Sequence, residues 1–380
     1  MSIVAVRTTR RIGGGDGAPV APGTTPHKEG STIARTMRAV VLTEPGPVEK
    51  LQIRELPVPE PRPGSVRIAV KAFGLNRSDY HMRMGLAEGV RYPIVPGLEA
   101  VGVVDAAPGS DLRPGQQVAA LMGGMGRAYN GGYAEYTVVP RSSVVPFRSC
   151  LPWDVLGAVP ETLQTAYGSL TTGLDLKSGQ TLLIRGGTSA LGFATAALAH
   201  DLGATVLATT RQPDRLDNLE THAVDHPILD NGAIANQVHR IKPGGVDAAL
   251  ELVGTPTLPD TLVSTRIHGT VCFAGMLSDQ WTVRDFYPIA YIPRGVRLTS
   301  YSGGSADLPA PVLQRYLDRI SDGAFGLGPL RTYSMDQIRD AHHAVATNSI
   351  SGKIVVLTPS GLKEAGEAAM TEEPLPRTSQ

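Results

Sequence analysis

The sequence predicts an α/β chain in which a small, mostly antiparallel β domain is joined to a doubly wound parallel sheet. Three observations predict it. Residues 37–145 alternate short β-type runs with Gly and Pro punctuation. From about residue 158 the rhythm becomes strand, Gly-rich turn, helix, strand, the pattern of parallel strands with crossover helices. The turn at 186–192 joins a short apolar strand to an Ala-rich helix.

In the first part, strands are expected at 38–42, 66–72, 100–104, Gln117–Leu121 and 133–139. Pro63-Gly64 and Pro114-Gly115 each stand just before such a run, where Pro sets φ and Gly permits the turn. Residues 76–84 read as a helical interruption. In the second part, strands are expected at 181–184, 205–208, 248–252, 270–274 and Arg297–Ser300, with a helix over 190–202. After Pro311 come helices through 320 and over 335–346, then a final strand at Lys353–Leu357. Residues 1–36 lack apolar periodicity and are read as a disordered extension rather than a transit peptide, and 360–380 as a disordered tail.

Composition narrows the function classes. The chain has 35 Lys+Arg against 35 Asp+Glu, so no net field draws it to nucleic acid or anionic lipid. Its apolar runs are broken by Gly, Pro or charge well short of the ~20 residues that span a bilayer, so no membrane crossing is expected. Two cysteines, Cys150 and Cys272, make neither a disulfide framework nor a four-thiolate zinc site. A reducing compartment, the cytoplasm, fits them.

The most informative segment runs from Leu182 through Arg185-Gly186-Gly187-Thr188-Ser189-Ala190-Leu191-Gly192. Gly187 and Gly192 hold the first and last positions of a G-x-G-x-x-G pattern, with Ser189 in the middle. Free N–H groups at a helix N-terminus and small residues suit close approach of a pyrophosphate; the alternative is a plain left-handed turn at Gly186-Gly187. A nucleophile elbow, G-x-S-x-G, would need glycine where Leu191 stands. At the end of the next strand, Thr210, Arg211 and Arg215 stand where an NAD site would place an acid. Hydroxyl and guanidinium suit a ribose 2′-phosphate, hence NADPH, unless the two arginines merely face solvent on a helix start.

Taken together, several segments resemble the medium-chain dehydrogenase/reductase superfamily: Met37-Arg38-Ala39-Val40-Val41, Phe73-Gly74-Leu75-Asn76-Arg77-Ser78-Asp79, Pro96-Gly97-Leu98-Glu99-Ala100-Val101-Gly102, Gly131-Gly132-Tyr133-Ala134-Glu135-Tyr136 and the Gly187–Gly192 turn. The match covers about residues 37–359. The resemblance implies a GroES-like catalytic domain (37–160 and 303–359) with an inserted Rossmann domain (161–302), the active site lying between them. Zinc-dependent members take a Cys and a His from the second and third segments, and those places here hold Asn76 and Leu98. Glu161 stands at a third ligand position, but one carboxylate does not make a zinc site, so no metal is expected. Without that Lewis acid, the similarity is to the zinc-independent, quinone oxidoreductase-like branch, in which NADPH delivers hydride to a quinone or an α,β-unsaturated carbonyl.

The resemblance also suggests roles. Asn76 is expected to line the substrate cleft, an N-cap being its other reading; Asp79 is expected to tune the site or to hold structure. Tyr80 and Tyr92 are candidate proton donors. Enoyl-thioester reductases carry a Tyr two residues after the glycine matching Gly85, where this chain has Ala87, with Tyr92 as a substitute if 88–91 is an insertion. Thr165 is expected at the nicotinamide carboxamide. Val253-Gly254 and Gly275-Met276 should border the cofactor past the strand ends. Lys353 lies near enough in sequence pattern to reach the cofactor but is assigned no role. Pairing of the Arg297–Ser300 strand with its twin implies a homodimer. The expected activity is NADPH-dependent reduction of a quinone or enone. An enoyl reductase on a carrier-bound or biosynthetic intermediate, or a non-catalytic NADPH-binding sensor, would be the other outcomes.

Overall fold

The computed structural model describes residues 35–371, so the expected N-terminal extension lies outside the described residues apart from 35 and 36. The chain opens with an antiparallel pair, β1 (Thr36–Leu42) and β2 (Leu51–Pro57). A second sheet follows, built from β3 (Ser65–Leu75), β4 (Glu99–Ala106), β5 (Gln117–Leu121), β6 (Tyr136–Pro140) and β7 (Val144–Pro146). The parallel sheet contains β8 (Thr181–Arg185), β9 (Thr205–Thr210), β10 (His226–Leu229), β11 (Val246–Glu251), β12 (Thr265–Phe273) and β13 (Arg297–Ser300). β14 (Leu330–Ser334) and β15 (Lys353–Leu357) then return to the second sheet.

The parallel sheet has the order β10-β9-β8-β11-β12-β13. Strand order reverses between β9-β8 and β11, which opens a crevice past the carboxyl ends of β8 and β11. β8 and β11 are buried along nearly their whole lengths, as strands covered by helices on both faces must be. The second sheet runs β14-β15-β3-β4-β5-β7, with β6 paired to β3. β15 pairs antiparallel with β3 in the register Ile354↔Leu75, so Lys353 and Asn76, 277 positions apart, meet at one sheet end.

Several expected elements differ in extent. Residues 360–371 do not belong to a tail: they form the helix Pro359–Thr371, whose start is fixed by Thr358 Oγ1 donating to Val70 O at 2.7 Å. The strand expected at 133–139 begins three residues later, because Tyr133 to Glu135 pair instead with the first strand, Val40 N donating to Tyr133 O and Glu135 N to Arg38 O. The last expected helix starts at Ile338 after a tight turn capped by Gln337, whose Oε1 accepts from Ser334 N at 3.0 Å.

Candidate functional site

The turn after β8 has Gly186 at φ +94°, a left-handed conformation that only glycine adopts without strain. A Cβ on Gly187 would lie 2.7 Å from Ala208 Cβ, and one on Gly192 would lie 2.4 Å from Gly187 O. Both glycines are therefore required for the helix Ala190–Asp201 to pack against the strand. Ser189 caps that helix, accepting from Gly192 N at 3.0 Å while donating to Gly186 O at 2.8 Å. The middle position of the motif thus carries a cap instead of a third glycine.

Three cavities with shared walls extend from this turn. The first, about 70 Å³, is lined by Gly186, Thr188, Ser189, Thr210, Arg211, Arg215 and Val253 among others. Arg211 is exposed, while Arg215 is buried and donates to Asn348 O at 3.1 Å. The acid on that wall, Asp230, is already held by the fully buried Arg185, at 2.8 and 2.9 Å. The second cavity, about 210 Å³, is lined by Asn76, Glu161, Thr165, Ser189, Ala190, Leu191, Gly275 and Met276, with His81 and Arg77 at its edge. The third, about 460 Å³, shares Ser78, Glu161, Thr165, Ala274 and Met276 with the second.

Beneath the second cavity lies a buried charged cluster. Lys353 Nζ donates to Asn76 Oδ1 at 2.6 Å and to Glu99 Oε1 at 2.7 Å, and stands 3.6 Å from Glu161 Oε2. Asn76 Nδ2 donates to Glu99 Oε1, and Glu161 N to Glu99 Oε2, both at 2.9 Å. Gly74 makes the room, since a Cβ there would lie 2.2 Å from Glu99 Oε1. Burial alone would lower the Lys353 pKa, but Glu99 and Glu161 raise it above the ordinary value. Burial raises that of Glu161, against the pull of Lys353. Asp79, 2% exposed, accepts from Asn76 N at 2.9 Å, and burial pushes its pKa up to about 7. Thr165 Oγ1 lies 3.1 Å from Glu161 Oε1 and 3.0 Å from Gln164 Oε1, so its single proton serves one at a time.

Across the mouth of the cleft, Arg77 Nη2 lies 2.8 Å from Asp279 Oδ1, as does His81 Nε2, joining the Arg77–Arg83 helix to the loop after β12.

Most expected cofactor positions therefore meet along one groove: Thr165, Thr188 to Leu191, Thr210, Arg211, Arg215, Val253, Gly275 and Met276 line it. Gly187, Gly192 and Gly254 shape it from behind; Gly254 N donates to Glu251 Oε1 at 3.0 Å. Arg211 and Arg215 do not share a helix start, since the following helix begins at Leu216. Asn76 is the N-cap residue, yet its side chain turns to Glu99 and Lys353. The two tyrosines are corrections. Tyr80 lies under the guanidinium groups of Arg77 and Arg83, at 4.4 and 5.4 Å, the Tyr92 hydroxyl donates to Met82 O at 3.0 Å, and neither is among the residues that line the three cavities. Glu99, Arg77 and Asp279 were not singled out from sequence, and Lys353 was noted there without a role. Glu99 sat within a quoted motif, and Gly352-Lys353 opening the last strand was the signal for the other half of its pair.

Residues 62–149 match the family model described as alcohol dehydrogenase GroES-like domain, and residues 190–318 the one described as zinc-binding dehydrogenase. The human synaptic vesicle membrane protein VAT-1 homolog-like is 31% identical over 396 residues, covering 95% of this chain and 90% of that protein. A probable quinone oxidoreductase of Schizosaccharomyces pombe is 26% identical over 348 residues, covering 86% and 98%. This chain belongs to the medium-chain dehydrogenase/reductase superfamily, in its quinone oxidoreductase-like branch. The mycobacterial Rv1454c structure complexed with NADPH, 25% identical, superposes with a TM-score of 0.74 over 84% of this chain and 99% of its own. As a medium-chain dehydrogenase/reductase, the chain has a GroES-like catalytic domain and a Rossmann domain, and is an oxidoreductase with an NAD(P)-binding fold.

At the positions that hold catalytic zinc in zinc-dependent members of the superfamily, this chain presents an amide, an alkyl chain and one carboxylate. Between Asn76 and Glu161 stands the Lys353 ammonium, a charge that a metal cation would face at close range. That donor set does not fit zinc. Among the described residues, no helix is long and apolar enough to cross a membrane.

Proposed function

We propose that the protein is a zinc-independent, NADPH-dependent reductase of quinones or α,β-unsaturated carbonyls. The observation that carries the reading is the groove running from Arg211 and Arg215, past the glycine turn, to Thr165 and the chamber beside Asn76. Its cradle fits a dinucleotide: Gly186 admits the turn, and Gly187 and Gly192 let the Ala190–Asp201 helix pack close to the strand, which turns its N-terminus toward a pyrophosphate. With Asp230 engaged by Arg185, the adenosine end offers guanidinium and hydroxyl groups, which favours the 2′-phosphate of NADPH over NADH.

When bound, NADPH supplies the hydride; the chain positions and polarises. Thr165, on the wall shared by the two larger cavities, would meet the carboxamide end. Asn76 gives its amide oxygen to Lys353 and one N–H to Glu99, which leaves a second N–H for an acceptor carbonyl. The nearby ammonium polarises that amide, making it a better donor as charge builds on the carbonyl oxygen. Asp79 fixes the backbone of Asn76 and acts as a positioning residue. With both tyrosines turned away, water is the proton source that the reading retains.

Pairing of the open edge at β13 would make a homodimer, and light scattering at twice the chain mass is the expected result. The exposed free thiol of Cys150 suits the cytoplasm. The test of the function is fluorescence titration with NADPH and NADH, followed by a screen of quinones and enones. Arg211→Ala should weaken NADPH binding by about tenfold or more and leave NADH unaffected. If neither nucleotide binds, the reading fails; tight NADPH binding without turnover of any acceptor would favour a sensor.

A further inference from the structure

The 460 Å³ chamber is bounded by apolar side chains, among them Leu98, Met122, Met125, Phe273 and Met276. Two charged side chains reach it, Glu161 and Arg127. Their surroundings are opposite. Glu161 is compensated by Lys353 at 3.6 Å and Thr165 at 3.1 Å. Arg127 is exposed and donates to Ser78 Oγ, a neutral hydroxyl on the same wall, and has no carboxylate within ion-pairing distance among the described residues. Arg77 is compensated by Asp279, and Arg185 by Asp230 and Asp260, whereas Arg211 and Arg215 lie at the far, adenosine end of the groove.

The seat of Arg127 is built for fixity. Gly123, Gly124 and Gly126 take φ values of +61°, +92° and +71°, and a Cβ on Gly126 would come within 2.7 Å of Gly97 N and O. The turn is closed by Arg127 N and Ala128 N donating to Gly124 O, at 3.1 and 2.8 Å, and by Gly126 N donating to Tyr129 O at 2.9 Å. A coiled turn of this kind holds the Arg127 backbone in place, so binding a ligand costs little further ordering of the main chain. A guanidinium presents a planar fork of donors matched to a carboxylate, whereas a neutral quinone offers it only a single acceptor.

We propose that the substrate is an acidic conjugated carbonyl, an enone or quinone whose apolar skeleton carries a carboxylate held by Arg127 and Ser78. This rests on the reductase reading, and adds to it the class of acceptor. The apolar wall takes the skeleton, and the reacting double bond lies toward Thr165, Ala274 and Met276. The carboxylate sits at Arg127 and Ser78.

The test uses two unreactive, saturated ligands, 3-benzoylpropionate and its neutral amide, titrated calorimetrically into the full chain with and without NADP⁺. The acid should bind about tenfold more tightly than the amide, as expected for one charge-assisted contact at a partly exposed site. Arg127→Gln should remove that difference while leaving the amide's affinity unchanged, and Arg127→Lys should keep part of it. Equal affinities, no binding of the acid at millimolar concentration, or a preference that survives Arg127→Gln would each overturn the proposal. Failure of NADP⁺ and NADPH to bind would instead sink the reductase reading, while the comparison of acid and amide in the nucleotide-free protein still decides whether the chamber recognises an anion.

Discussion

Asp79 should make a contribution to stability that falls as pH rises, which is the reverse of the usual behaviour of a carboxylate in a folded chain. The usual case is an Asp stabilised as an anion by a cation or several N–H groups. Asp79 instead is 2% exposed, and burial, with Glu99 adding to it, outweighs the N–H of Asn76 and the charge of Lys353. Its pKa rises from the ordinary 3.8 to about 7. Between those values the folded chain keeps a proton that the unfolded chain has lost. The folded state is favoured fully below about 3.8, loses that advantage steadily up to about 7, and is flat above it. A difference of that size corresponds to about 4 kcal/mol. Asp79→Asn removes the titration yet keeps a side-chain oxygen for Asn76 N. The expected result in urea unfolding is equal stability of the two proteins at pH 4 and a variant more stable by up to about 4 kcal/mol at pH 8. Taking the variant minus the parent cancels the titration of groups that do not interact with Asp79. A difference that does not change between pH 4 and pH 8, or a variant less stable at pH 8, would refute the reasoning.

Lys353→Met should destabilise the fold by about 3–5 kcal/mol in urea unfolding, because it strands Glu99 without a cation in a fully buried place; pairing it with Glu99→Gln should recover part of the loss. Asp279→Asn should cost no more than about 1 kcal/mol of global stability, since the pair is partly exposed, while speeding amide hydrogen exchange in residues 276–283 but not in β9. Gly192→Ala should abolish nucleotide binding with the circular dichroism of the fold retained, because the added Cβ meets the Gly187 carbonyl at 2.4 Å and pushes the helix off the turn. Each outcome is read by calorimetry, exchange or unfolding, without an assay of turnover.

The parallel sheet and its phosphate-binding turn were legible because their signals are local. β8 and the Ala190–Asp201 helix are contiguous, strongly patterned segments, and both expected boundaries fall within one residue of those found. β2, β7, β10 and β14 were not legible. β2 is partly exposed along most of its length, β7 has three residues, and β10 contains Pro227, so none presents a clean two-residue alternation. The site divides in the same way. Positions on the glycine turn and past the strand ends follow from the sheet topology, whereas the partners that complete the cleft are far apart in sequence. Lys353 and Glu99 are separated by 254 residues, and Arg77 and Asp279 by 202. Only the pairing of β15 with β3 and the closure of one domain on the other bring them together, and neither is written in a local pattern. Tyr80 and Tyr92 failed for the complementary reason: residue type suggested a proton donor, but side-chain direction is set by the packing of the Arg77–Arg83 helix.

The charges of the buried cluster bear on what the chamber attracts. One ammonium, Lys353, faces three carboxyl groups, and were all three ionised the cleft would repel an anion. Burial raises the Glu161 pKa against the pull of Lys353, and that of Asp79 is pushed up to about 7, so burial opposes full ionisation of this cluster. Arg127 stands on the chamber wall with no ion pair among the described residues. As pH rises through about 7, Asp79 ionises and adds a negative charge that Arg127 feels. Affinity for an acidic ligand should therefore weaken modestly above pH 7 in the parent protein and stay level in Asp79→Asn. A pH-independent affinity in the parent would show that Asp79 and Arg127 do not share a field.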